Sequence, residues 1–142
     1  MLTLIVLEII RAITIWPHHQ EFDFQVFQSK DEMEKVWVAD GGDKKDLPKV
    51  NFETETVIAA FAGEQKTEGF GIKIEKVVEV RGQNSVVKVI YSRSIPPRDS
   101  NPKAVLNYPN HVIVIKKAAE VQIVDKESDD GQYLMDARNY QK

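Results

Sequence analysis

The 142-residue chain contains no cysteine, and that absence closes several routes at once. Disulfides, a thiolate zinc site, a catalytic cysteine and a lipid-accepting cysteine are all excluded within these residues. Charge of one sign is also lacking. Lys+Arg 19 against Asp+Glu 22 gives a formal net charge of -3, without the basic excess that a polyanion partner selects, so nucleic acid is not an expected partner. No apolar run approaches the roughly 20 residues of a spanning helix, so no membrane span is expected. With 42% hydrophobic and 29% charged residues, the chain has the composition of a folded domain rather than a disordered tail.

The apolar opening, MLTLIVLEIIRAITIWP, resembles an export signal only superficially. No Lys or Arg precedes Leu2 to Leu7, and Glu8 and Arg11 interrupt the apolar stretch that a signal peptide needs. Leu2, Ile5, Val6, Ile9 and Ile13 fit a helical stripe, while the β-branched bias and Pro17 favour a strand near residues 10–16 with Trp16 as a capping aromatic. The expected location is the cytoplasm if this N-terminus is native, and outside it if a signal has been removed or truncated. At the other end, Asp125 to Asp130 forms an acidic run, and Asp130-Gly131 could turn a small hairpin between Val121/Ile123 and Tyr133-Leu134-Met135. A frayed tail is the alternative.

Patterning is clearest between these ends. Phe22 to Val26 alternates in the manner of a half-buried strand. Ser29 and Glu32 then form a capping box, with Met33, Val36 and Trp37 at helical spacing behind it and Gly41-Gly42 at the close. The apolar run Val57 to Ala62 suits a central strand covered on both faces. Phe70, Ile72 and Ile74 alternate into the next strand, which Val77 to Val80 would extend. Gly82-Gln83-Asn84 turns a hairpin towards Val87, Val89 and Tyr91. Pro96, Pro97 and Pro102 break a long loop, and Val112 to Ile115 is the last strong strand, its end kept soluble by Lys116-Lys117. One helix among many strands, with no βαβ rhythm, predicts an α+β, mainly β fold: a mostly antiparallel sheet, small sandwich or open barrel carrying one short packed helix.

A search for chemistry is negative. His18 and His19 are adjacent and would face opposite ways in a strand, His111 precedes a strand with no nucleophile in an elbow context, and no metal-ligand spacing accompanies any of them. No metal or cofactor is expected. Glu53/Glu55 and Asp129/Asp130 read as solvated charge. Residues 63–71 mimic a phosphate loop but lack its Gly-Lys-Ser/Thr ending, and Glu64 and Glu68 would repel a phosphate.

The stretch Val57-Ile-Ala-Ala-Phe-Ala-Gly-Glu-Gln-Lys-Thr-Glu-Gly-Phe-Gly-Ile-Lys-Ile74 resembles the signature of the PrcB C-terminal-domain-like family, in which an apolar strand ends in Gly-x-x-x-Thr-Gly-Gly-Tyr. Ser29 to Trp37, Val50-Asn-Phe52, Pro96-Pro97 and Tyr108-Pro-Asn-His-Val112 resemble further family features in the same order, so the likeness spans about residues 24–117. Glu68, Phe70 and Asn110 depart from the family pattern. The expected layout is an N-terminal apolar segment over residues 1–20, a PrcB-like domain over 21–117 and an acidic extension or hairpin over 118–142.

The resemblance implies a non-enzymatic protein-interaction domain, an accessory or stabilising subunit of a protease or another complex. The loop residues Lys66, Thr67, Glu68, Gly69 and Phe70, with Pro96, Pro97, Tyr108, Pro109 and His111, are the candidate binding surface. Gly63, Gly69, Gly71 and Trp37 are candidate structural residues, since a tight connection between core strands needs glycine whether or not a partner binds there. An alternative reading is a chagasin-like protease inhibitor presenting the loop around Thr67 to Phe70, although the other two loops of such inhibitors are missing. Oligomeric state is left open.

Overall fold

The computed structural model describes residues 4–80 and 85–128. Two four-stranded sheets pack through a shared core. The first has the order β1 (Leu4–Leu7), β5 (Gly71–Val80), β6 (Val86–Ser94), β8 (Glu120–Asp125); the second has β2 (Arg11–Ile13), β7 (Asn110–Lys116), β4 (Glu55–Ala62), β3 (Phe22–Phe27). All neighbours are antiparallel except β6 and β8. One helix, α1 (Lys30–Ala39), packs on the second sheet, and among the described residues no sheet closes into a barrel. The expected mainly β, α+β class is the observed one.

Strand alternation explains the layering. Ile58, Ala60, Ile113 and Ile115 of the second sheet meet Ile72, Ile74, Val77, Val87, Val89 and Ile123 of the first. The intervening residues Val57, Ala59, Phe61, Val112 and Val114 point the other way, onto Met33 and Trp37 of α1. This is why β4 is apolar at consecutive positions: it is central and covered on both faces.

The alternation of β5 changes phase at a bulge. Ile74 faces Tyr91 and Lys76 faces Ile90, so Glu75 is an extra residue on this strand. Ile72 and Ile74 before it, and Val77 after it, thereby all point into the core. The Gly82 to Asn84 turn lies outside the described residues, although the β5–β6 hairpin that it was expected to join is present.

Helix α1 begins at Ser29, whose Oγ accepts from Glu32 N at 3.2 Å. The Glu32 carboxylate reaches one residue further back than a standard capping box, accepting from Gln28 N at 2.7 Å. The helix ends in a Schellman arrangement: Gly41 N donates to Val38 O at 3.0 Å and Gly42 N to Trp37 O at 2.8 Å, with Gly41 at φ 102. Trp37 fills the core beneath this end, its Nε1 donating to Asp43 O at 2.8 Å.

The first and last of the described strands are integral to the sheets. β1 and β2 each supply an edge strand, one to each sheet. Trp16, expected as a capping aromatic, is buried, stacked on Phe27 and set edge-on to Trp37. Val121 and Ile123 enter the core through parallel pairing with β6, while the turn expected at Asp130-Gly131 and the Asp129/Asp130 pair lie outside the described residues.

A buried polar knot fastens the entry to β8. Thr56 Oγ1 donates to Gln28 Oε1 at 2.8 Å and accepts from Ala118 N at 3.0 Å, while Gln28 Nε2 donates to Ala118 O at 2.7 Å. Lys117, expected to solubilise a strand end, instead donates from Nζ to Phe52 O at 2.8 Å and Gln28 O at 3.4 Å. Its neighbour Lys116 stays exposed.

Candidate functional site: two interlocked loops

The β4–β5 connection, residues 63–70, and the β6–β7 connection, residues 95–109, are brought side by side. Gln65 and Asn107 pair as a single antiparallel bridge, Gln65 N donating to Asn107 O at 2.8 Å and Asn107 N to Gln65 O at 2.9 Å. Asn107 Nδ2 adds bonds to Thr67 O at 2.9 Å and Val105 O at 2.7 Å. Further along, Glu68 N donates to Lys103 O at 3.0 Å. These bonds satisfy loop backbone groups that would otherwise need water, which gives each loop a defined shape.

Gly69 is the tightest point. It sits at φ 102, and a Cβ there would lie 2.9 Å from Pro96 Cγ, so backbone conformation and space both require glycine. Gly63 and Gly71 are close-approach positions as well: an added Cβ would meet Phe22 N at 2.8 Å and Ser94 Oγ at 2.8 Å, respectively.

Of the residues expected to form a binding surface, Lys66, Glu68 and Pro97 are exposed, while Thr67, Phe70, Pro96, Tyr108 and Pro109 are half-buried. Phe70 lines a notch of about 470 Å³ with Arg93 and Ile95, and Asp125 and Glu127 form part of its wall. Tyr108 stacks on His18 at 4.3 Å between ring centroids and donates from its hydroxyl to Glu64 Oε2 at 2.9 Å. That bond to a carboxylate holds the phenol above its ordinary pKa. Pro109 O accepts from Ala62 N at 2.9 Å and so ties the end of the second loop to β4. His111 turns inward, its Nδ1 accepting from Ile74 N at 2.8 Å.

The structure adds residues that the sequence reading did not single out. Ile95 is 73% exposed, Leu106 60% and Val105 44%, apolar side chains all held on the second of these loops. Asn107 is the clasp of the surface. An Asn inside a proline-broken stretch is a turn signal at most, and its partner lies 42 residues away, so sequence spacing could not announce the bond.

A cavity of about 920 Å³ lies elsewhere, between β2 and the end of α1, with Ile13, Trp16 and Trp37 in its wall. Both indole N–H groups are already engaged, Trp16 Nε1 with Asp40 Oδ2 at 3.0 Å and Trp37 Nε1 with Asp43 O. Among the described residues no group of three or more His, Asp or Glu side chains is placed to hold a metal, and no helix is long and apolar enough to cross a membrane.

Residues 56–116 match the family described as PrcB C-terminal, the family that the motifs resembled. The matched stretch runs from β4 to β7 and contains both interlocked loops. It supplies the central pair of each sheet, β5–β6 in the first and β4–β7 in the second, whereas all four edge strands come from outside it. No curated protein and no solved structure matches the chain.

Proposed function

We propose that this protein is a non-enzymatic interaction domain whose two interlocked loops bind a protein partner, as an accessory or stabilising subunit of a protease or another complex. The observation that carries this reading is the Gln65–Asn107 bridge, which fixes two long connections against each other while Ile95, Val105 and Leu106 remain in solvent. Ordering a loop costs about 1–2 kcal/mol per residue of backbone entropy, and here that ordering precedes any encounter. Apolar side chains on a preformed surface with Lys66, Glu68 and Lys103 nearby have the makeup of an interface centre with a polar rim.

Affinity capture from the native source with wild-type and Leu106→Asp chains, paired with inhibition assays against serine and cysteine proteases, tests the proposal. A stoichiometric partner that is retained by the wild type and lost with Leu106→Asp is the expected result. Capture of nothing by the wild type overturns it. A protease inhibited by the wild type, but not by Phe70→Ala, would move the reading to the chagasin-like inhibitor.

A further inference from the structure

The connector between β2 and β3 carries a ring held at both nitrogens. His19 Nδ1 lies 2.7 Å from Asp40 Oδ2, and Nε2 lies 3.2 Å from Asp23 Oδ2. Asp40 is the C-cap of α1 and Asp23 belongs to β3. The ring is mostly enclosed and stacks on Phe61 of β4 at 4.0 Å between centroids. These are the groups that face it: Asp40 from the helix, Asp23 from β3, Phe61 from β4, and Trp16, which shares Asp40 Oδ2.

A neutral imidazole has one N–H and one lone pair, while a carboxylate only accepts. Both contacts are therefore hydrogen bonds only when the ring carries two protons and a positive charge. Other donors fix both carboxylates in place. Asp23 accepts from Phe24 N at 2.8 Å and Gln25 Nε2 at 2.6 Å, and Asp40 accepts from Trp16 Nε1 at 3.0 Å. The last turn of α1 has no basic residue of its own, so an imidazolium at Asp40 also supplies the cation that a helix C-terminus favours.

We propose that His19 is a proton-operated clamp that sets how firmly the β2–β3 connector, and through it the candidate binding loop, is held. The link to the loop is direct. Glu64 N donates to Gln20 O at 3.0 Å, and His18, the other neighbour of His19, stacks on Tyr108. With the ring charged, α1, β3 and the connector are tied together. When the ring loses a proton, the shorter Asp40 contact keeps the remaining N–H and the Nε2 lone pair faces Asp23, so the β3 tie is broken. The device therefore tightens towards acid, and it does not depend on what the loop binds.

Two measurements on the full chain, made between about pH 5 and 8, test it. Long-range proton–nitrogen NMR of the ¹⁵N-labelled protein reads the protonation of both His19 nitrogens, and amide exchange, corrected for its intrinsic pH dependence, reads the protection of Glu64. The expected result is two ring N–H groups at the acid end of that range, one on Nδ1 at the alkaline end, and about tenfold greater Glu64 protection at the acid end. In His19→Gln and in Asp23→Asn that pH-dependent gain disappears. A ring that keeps one protonation state throughout the range overturns the clamp, as does a gain in protection that persists in both variants.

Discussion

His111 accepts the backbone N–H of Ile74, at 2.8 Å, from the opposite sheet. The donor is the last residue before the β5 bulge and the acceptor stands near the start of β7, so one side-chain bond pins the irregular point of the first sheet to the second. Burial, aided by the nearby Lys73 and only partly opposed by Glu75, lowers the pKa of this imidazole. The bond itself requires an unprotonated Nδ1.

The consequence for pH follows from that direction. In the unfolded chain His111 takes up its proton at the ordinary histidine value, about 6.5, whereas the folded protein resists protonation until lower pH. The stabilisation is therefore complete above about pH 6.5 and is lost as pH falls from there through the lowered folded value. Urea unfolding at pH 7.5 and 5.5 is expected to show lower stability in acid. His111→Asn offers an amide oxygen as acceptor and no titration, so it should flatten this dependence; an unchanged slope would remove His111 as its source.

Thr56 is fully buried and both roles of its hydroxyl are filled, towards Gln28 and Ala118. Thr56→Val keeps the shape and removes the hydroxyl, leaving the Ala118 N–H and Gln28 Oε1 without this partner. At about 1–3 kcal/mol for an unsatisfied buried group, the expected loss is about 2 kcal/mol or more. Chemical denaturation measures it, and an effect below about 0.5 kcal/mol would mean that the knot rearranges.

Gly41 and Gly69 form a matched pair, both at φ 102. A Cβ on Gly41 meets nothing within 4 Å, whereas one on Gly69 meets Pro96 Cγ at 2.9 Å and Cβ at 3.1 Å. Gly41→Ala should cost only the backbone strain, about 1 kcal/mol. Gly69→Ala should cost that and also push the two loops apart, giving a larger destabilisation and altered amide shifts at Gln65 and Asn107. Equal losses for the two variants would show that the proline side of the loop gives way freely.

How much of this was legible in the sequence depends on the range of the interaction. Ser29, Met33 and Trp37 announced α1 because capping and helical spacing act within one or two turns. Val57 to Ala62 declared a doubly covered strand through its own apolar run. The β5 bulge was present as a phase change between Ile74 and Val77, readable only as an extension of the strand until the register showed Glu75 to be extra. Pairings between distant residues left no trace: β1 with β5, β8 in parallel with β6, and Gln65 with Asn107. The candidate binding surface was accordingly half legible, its glycines and prolines visible in the loops, its clasp and its exposed Ile95 and Leu106 not.

The family-matched stretch, residues 56–116, provides the centre of both sheets, yet the central strands have no partners on their outer sides without β1, β2, β3 and β8. A chain cut after Lys117 loses β8 and with it Val121, Ile123 and Val124, each no more than 5% exposed. Burial of a Val or Ile side chain contributes about 1.5–3 kcal/mol, so three of them amount to about 5 kcal/mol or more, against a typical domain stability of about 5–15 kcal/mol. The cut also exposes β6 as an unpaired edge, with Val87 and Val89 facing the vacated core positions. Residues 1–117 should therefore show collapsed amide dispersion and aggregate on concentration, whereas the full chain gives a dispersed spectrum. A well-dispersed spectrum from residues 1–117, with a urea midpoint near that of the full chain, would show that β8 is dispensable and that the matched stretch needs only the strands before it.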